Sequence, residues 1–177
     1  MTVQEYQLTP MTRTPQELIF GAVRAADAPL VAHQRVVFAM ARALQSHVDN
    51  RRLGEVLIAP TDVVLDAERA LVVQPDVVFV SRARADIVLD RVYGAPDLVV
   101  EVLSPHPRIG QLDERVGWFA AYGVREVWLY HQPERQMEVL ACSGGHIVSR
   151  AAFGRHQLLD SAVLPAFART IADIVAW

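Results

Sequence analysis

The chain has 177 residues, about the length of one domain, and 52% of them are hydrophobic, which is enough for a substantial core. Its only cysteine, Cys142, excludes an intramolecular disulfide and a cysteine-based zinc site, and the scattered histidines form no zinc-binding pattern. The formal net charge of −3 argues against a protein that depends on non-specific nucleic-acid binding, although it does not exclude a local basic cleft. All 17 positive residues are arginine, and arginine cannot lose its proton to act as a base.

We predict a single domain over residues 1–177, because no linker, repeat or low-complexity tract interrupts the sequence. The longest apolar runs have the length of strands, so no membrane span is expected. The N-terminal segment lacks the basic and apolar regions of a signal peptide, which makes a cytoplasmic location the default expectation.

The first third of the chain predicts a hairpin followed by one long helix. Residues 2–8 predict a short helical turn, and residues 16–24 predict a bent strand or hairpin with Gly21 at the bend. Residues 31–48 carry apolar side chains at helical spacing, which predicts the clearest helix of the chain.

The middle of the chain predicts strands, because short apolar runs alternate there with turn residues. The predicted strands cover residues 55–59, 61–65, 72–73, 77–80 and 97–103, with a further short piece at 87–89. The last of the five strands, DLVVEVL, is apolar after its first residue except for Glu101, which is typical of a strand buried on both faces.

The last third predicts a helix, three strands and a terminal helix. Residues 104–107 (SPHP) end the preceding strand, and residues 109–122 are predicted as a helix that Gly123 stops. The remaining predicted elements are strands at 126–130, 136–141 and 146–150 and a helix at 168–176. The order of elements predicts an α/β (α+β) fold in which a mixed β-sheet is flanked by helices.

Glu101 is the first candidate for a functional residue. A carboxylate inside an apolar strand costs several kcal/mol to bury unless it is paired with a cation. Alternation along the strand places Val99, Glu101 and Leu103 on one face. The alternative interpretation is structural, with this face meeting solvent or an arginine.

Asp76 and Glu17 are the other acidic candidates. Asp76 follows Pro75 at the entrance of a strand, where aspartate is also common as a turn former. If that strand neighbours the one that carries Glu101, the two carboxylates converge, and together with a backbone carbonyl and waters they suit Mg²⁺ or Mn²⁺. Glu17 precedes an apolar run near the N-terminus and, taken alone, is best interpreted as a surface residue.

Several segments resemble the Uma2 family of restriction-endonuclease-like proteins, a branch of the PD-(D/E)XK nuclease superfamily. The most specific segment is APDLVVEVLSP at 95–105. The others, in the expected order, are ELIFGAV at 17–23, His33-Gln34, QPDVVFV at 74–80, GVREVWLY at 123–130 and LPAFARTIADIV at 164–175.

The resemblance implies a metal-dependent endonuclease that cleaves phosphodiester bonds in DNA. It implies that Asp76 and Glu101 bind Mg²⁺ or Mn²⁺ with the help of the Val102 carbonyl, and that Glu17 joins the site. The lysine of the family is implied to come from the following helix, where this chain has Arg115. Arg115 can stabilise charge on a phosphate but cannot activate water as a base.

Two further family positions depart from the pattern. An aspartate expected one helical turn before Arg115 is Gln111 here, and Asp113 faces elsewhere on a helix. The acid expected after the strand at 126–130 is His131. These departures leave open a second hypothesis, in which the fold binds nucleic acid or a protein partner without cutting.

Three points stay open from the sequence. Arg115 is alternatively an exposed helix residue with partners one turn away. His33 can hydrogen-bond near the site or act at the helix start or an interface. A homodimer is expected, through an exposed sheet edge or the apolar C-terminal residues.

Overall fold

The computed structural model describes residues 1–10, 14–25, 28–103 and 112–176. Within these ranges the α-helices are α1 (Val3–Gln7), α2 (Val31–Arg51), α3 (Leu112–Tyr122) and α4 (Ile171–Ile174). The strands are β1 (Gln16–Ile19), β2 (Ala22–Ala25), β3 (Gly54–Ile58), β4 (Val63–Asp66), β5 (Leu71–Val73), β6 (Val77–Ser81), β7 (Val92–Tyr93), β8 (Leu98–Leu103), β9 (Glu126–His131), β10 (Gln136–Ser143) and β11 (His146–Phe153). A 3-10 helix, Arg82–Ile87, follows β6. No helix in the described ranges is long and apolar enough to cross a membrane.

The strands form two mixed sheets. The first has the order β2-β1-β5-β4-β7 and is antiparallel apart from the β4–β7 pair. The second has the order β11-β10-β9-β8-β6-β3 and is antiparallel apart from the central β8–β9 pair. Helix α3 lies in the connection from β8 to β9, because two parallel strands need a long crossover between them.

The predicted fold class is confirmed, with one difference: the described strands divide between two sheets where one was expected. The chain passes from the first sheet to the second between β5 and β6, at residues 74–76. Pro75 has no N–H with which to continue the strand ladder, so the apolar run is broken at this point. The sequence pattern predicts the break between the two strands, but it does not predict that β5 and β6 belong to different sheets.

Two predicted elements differ from the structure, and a third prediction cannot be compared with it. Residues 87–89 end the 3-10 helix and form an isolated bridge instead of a strand. The helix predicted at 168–176 is a single turn, because α4 begins at its capping residue Thr170 and ends four residues later. The strand end and helix start predicted within residues 104–111 lie outside the described residues.

The second sheet separates two hydrophobic cores, since successive side chains of a strand point to opposite faces. Val100 and Val102 of β8 pack with α2 and with Trp128 of β9 in one core. Val99 packs with α3 in the other core. As predicted, Glu101 shares the face of Val99, so its side chain points toward α3.

A buried carboxylate at the start of β9 fastens the C-terminal segment to the second sheet. Glu126 accepts hydrogen bonds from Trp128 Nε1 at 2.7 Å, from Ser161 Oγ at 2.6 Å and from the Ala162 N–H at 3.0 Å. Glu126 is nearly inaccessible to solvent. Among the described residues, three hydrogen-bond donors and no ion-pair partner contact this carboxylate.

Replacing Glu126 by alanine is expected to lower the free energy of unfolding by about 2 kcal/mol, because buried donors lose their acceptor. Urea unfolding measures the change as a lower midpoint with the same slope. Glu134→Ala, at an exposed turn position, is the control and should change the midpoint little. Equal midpoints for the two variants would show that Glu126 does not hold the C-terminal segment.

Candidate active site

The register of the second sheet brings Asp76 and Glu101 together. Strands β6 and β8 are antiparallel, and Val77 lies opposite Val100. One step further in the same register, Asp76 lies opposite Glu101, where side chains on one face have Cβ atoms about 5 Å apart. The carboxylate of Asp76 is fixed at this position because its Oδ2 accepts the N–H of Val102 at 2.8 Å.

Glu17 approaches the same place from β1 of the first sheet. It is 2% exposed, so the interpretation as a surface residue is wrong. Its Oε2 and Oε1 accept hydrogen bonds from Arg115 Nη1 at 2.8 Å and Nη2 at 2.9 Å. The backbone N–H of Gln74 donates to Oε1 at 2.6 Å. The partners of β1 in the first sheet, which the sequence does not reveal, explain this burial.

Arg115 of α3 joins the acidic residues of the two sheets. Besides its fork to Glu17, it donates from Nε to Glu101 Oε1 at 2.7 Å. The guanidinium also lies 5.4 Å from the centre of the Phe119 ring. Arg115 is 8% exposed, so the alternative of an exposed helix arginine is wrong. The structural alternative for Glu101, that it meets an arginine, is correct.

The charges of this cluster are unbalanced. Among the described residues, the carboxylates of Glu17 and Glu101 contact the guanidinium of Arg115, and that of Asp76 lies close enough to raise the pKa of Glu101. Burial raises the pKa of Glu101 to about 7, against the opposing effect of Arg115 and with a further raising effect from Asp76. Although burial alone lowers the pKa of Arg115, Glu101 and Glu17 together raise it above its usual value. One guanidinium therefore does not neutralise the carboxylates.

His33 is a site residue whose role the sequence left undecided. It lies in the first turn of α2, is buried, and its Nε2 is 3.0 Å from Asp76 Oδ1. Asp76 is thus held on one oxygen by His33 and on the other by the backbone of Val102. The signal available in the sequence was the position of a histidine just after the predicted helix start.

The carboxylate oxygens of the cluster are the candidate ligands for a divalent cation. In the ranges that the structure describes, no three His, Cys, Asp or Glu side chains are grouped closely enough to hold a metal ion. Glu17 uses both oxygens on Arg115, and Asp76 uses both on His33 and the Val102 N–H, whereas Glu101 accepts from Arg115 Nε on Oε1. A carboxylate oxygen has two lone pairs, so Asp76 and Glu101, with side chains 17% and 12% exposed, keep acceptor sites for a cation. Two carboxylates with excess negative charge fit a hard cation that completes its shell with carbonyls or waters.

The two departures from the family pattern lie away from this cluster or outside the described chain. Asp113 is exposed on α3. His131 Nε2 lies 3.7 Å from Glu138 on the neighbouring strand β10. Gln111 is outside the described residues. The cluster therefore consists of Glu17, Asp76, Glu101, Arg115 and His33.

The fold is that of a known class of nuclease-like proteins. A solved structure described as a "putative nuclease belonging to DUF820", from Anabaena variabilis ATCC 29413, superposes with a TM-score of 0.82. It is 17% identical, and the match covers 100% of this chain and 98% of that one. At this identity the likeness shows the fold alone.

The family follows from the sequence match. The model of the Uma2 family, described as "Putative restriction endonuclease", matches residues 3–172. The chain belongs to the Uma2 family, and the resemblance drawn from its segments is confirmed. None of the curated proteins matches the chain.

Proposed function

We propose that the chain is a nuclease that uses Mg²⁺ or Mn²⁺ to hydrolyse phosphodiester bonds in DNA. One observation carries the proposal: Asp76, directly before β6, lies close to Glu101 of the adjacent strand β8, and the described side chains of the cluster hold three carboxylates against one guanidinium. Membership of a family described as restriction endonucleases supports the same reaction class.

Each residue of the cluster has a separate task in the proposed mechanism. Asp76 and Glu101 would hold the cation, with the Val102 carbonyl as a further ligand, and His33 orients Asp76. A bound Mg²⁺ or Mn²⁺ supplies Lewis acidity toward a phosphate oxygen and lowers the pKa of water. Glu17 acts on Arg115 and is a positioning residue.

Arg115 contributes positive charge to the proposed site. Three hydrogen bonds to Glu17 and Glu101 use three of the five N–H donors of a guanidinium. The remaining donors can stabilise the developing charge on a phosphate. Because its pKa is raised, Arg115 stays protonated and does not accept a proton from water.

The pairing of Arg115 with two carboxylates favours a second candidate function, in which the chain binds nucleic acid without cutting it. Arg115 is held tightly by two carboxylates and provides no base. If the cation and water alone do not generate a nucleophile, the cluster serves to recognise a phosphate. This candidate predicts binding of DNA and of Mn²⁺ with no turnover.

The proposed function is tested by titrating Mn²⁺ into the wild-type protein and into the Asp76→Asn and Glu101→Gln variants. Each variant is expected to bind Mn²⁺ at least about tenfold more weakly, because one charged ligand is lost. Cleavage of plasmid DNA in Mn²⁺ should be lost in parallel. The matched control is Glu138→Gln, a half-buried strand glutamate paired with Arg150.

Cleavage that survives both substitutions would rule out this site. Mn²⁺ binding that depends on Asp76 and Glu101, without cleavage of any DNA by the wild-type protein, would leave the second candidate. Light scattering on the same samples measures the mass in solution, which tests the proposed homodimer.

A further inference from the structure

The outer face of α2 carries a stripe of arginine and apolar side chains. Val31, Arg35, Phe38 and Arg42 follow at intervals of four, three and four residues, which places them on one side of a helix. All four are exposed, Val31 to 68% and Phe38 to 64%. An exposed phenylalanine between two arginines has no role in the core of this chain.

The stripe lies on the side of α2 that faces away from the candidate active site. His33, in the first turn of α2, contacts Asp76, but at ~100° per residue it lies roughly opposite Val31 and Arg35 on the helix. At 1.5 Å per residue, the stripe from Val31 to Arg42 is about 16 Å long. That length equals about five base-pair steps of a duplex at 3.4 Å each.

The charge around the stripe is positive in a chain that is acidic as a whole. Residues 28–48 contain Arg35 and Arg42 but no aspartate or glutamate, whereas the chain has a net charge of −3. The first turn of α2 has no acidic side chain either, and this end of a helix carries the positive end of its dipole. The face therefore favours an anionic partner.

We propose that this α2 stripe binds the sugar-phosphate backbone of a nucleic acid, on the side of α2 that faces away from the Asp76–Glu101 site. Arg35 and Arg42 contact phosphates, and Phe38 contacts a sugar or an unpaired base. This binding does not depend on the proposed function.

A second copy of the chain fits this face less well. In a two-fold dimer the same patch meets itself, so Arg35 and Arg42 would lie against the arginines of the partner. With no acidic residue between positions 28 and 48, the face offers nothing to pair with them. Like charges at an interface oppose association.

The test measures binding to labelled 25-mers of double- and single-stranded DNA by fluorescence anisotropy, in EDTA so that no cleavage occurs. The Arg35→Gln/Arg42→Gln double variant is expected to bind at least about tenfold more weakly at low salt. Its plot of log affinity against log salt should be shallower by about two units, because two phosphate contacts are lost. Phe38→Ser should weaken the single strand more than the duplex.

Three further variants keep the result interpretable. Arg51→Gln alters an exposed arginine of the same helix on the side opposite Arg42, and should leave affinity unchanged within about twofold. The Arg35→Lys/Arg42→Lys variant keeps the charge and should retain binding. Asp76→Asn should bind DNA with the wild-type salt dependence while losing Mn²⁺, which separates this inference from the proposed function.

Unchanged binding by the Arg35→Gln/Arg42→Gln variant would overturn the inference, whether or not the protein cleaves DNA. An absence of DNA binding by the wild-type protein would do the same. A dimer that Phe38→Ser dissociates, with DNA binding unaffected, would assign the stripe to a second copy.

Discussion

Replacing Arg115 by methionine is expected to lower the free energy of unfolding by about 3–5 kcal/mol, the usual cost of removing one partner from a buried ion pair. Methionine is long and unbranched, so it leaves no large cavity. It removes the guanidinium that pairs with Glu17 and Glu101, however, and among the described residues leaves both buried carboxylates without their ion-pair partner. The loss should be seen in urea unfolding at pH 8, where both are expected to be ionised on the unfolded chain.

The control for this prediction is an arginine whose ion pair is exposed. Arg150 lies 3.0 Å from Glu138, but half of its side chain meets solvent. Arg150→Met should therefore cost less than about 1 kcal/mol. Equal losses for Arg115→Met and Arg150→Met would show that the buried cluster contributes no more than a surface pair.

Replacing Glu101 by glutamine is expected to remove a pH dependence of stability. The folded protein raises the pKa of Glu101 from 4.5 to about 7, so between these values the folded state binds more proton than the unfolded state. Wild-type stability should therefore fall as pH rises from about 4.5 to about 7 and then level off. The shift corresponds to about 3 kcal/mol.

Glutamine resembles the protonated carboxyl in charge and shape, and its oxygen can still accept the bond from Arg115 Nε. Above pH 7 the Glu101→Gln protein should thus be more stable than the wild type by up to about 3 kcal/mol. Unfolding in urea at closely spaced pH values measures both curves. The Glu138→Gln control should keep the wild-type slope.

If the free energy of unfolding of the Glu101→Gln variant still falls between about pH 4.5 and 7, the pH dependence belongs to another group. A variant that is less stable than the wild type at every pH would show that the ionised form is the favoured one. Saturating Mn²⁺ gives a further check, because a cation that holds Glu101 ionised should flatten the wild-type curve.

The carboxylates of the second sheet could be predicted from the sequence for a physical reason. Glu101 interrupts an apolar strand, and Asp76 follows a proline at a strand entrance. Both features are local, and the pairing of β6 with β8 then brings the two side chains together. The fold class followed from the order of elements in the same way.

The remainder of the cluster depends on contacts that no local pattern encodes. Glu17 is buried because β1 lies in the first sheet, whose strand partners the sequence does not specify. Arg115 is one arginine among 17, and only α3 packing against both sheets distinguishes it from a surface residue. The role of His33 could not be predicted without the position of α2 relative to Asp76. Tertiary packing, more than periodicity, decides these three roles.

The fork between Glu17 and Arg115 joins residues that are 98 positions apart in the chain. During synthesis the N-terminal strand leaves the ribosome long before α3 exists, so the cluster cannot be completed while the chain is short. Glu17 stays without the guanidinium of Arg115 until more than half of the chain has been made. A nascent chain or a truncation that ends before α3 therefore lacks the complete cluster.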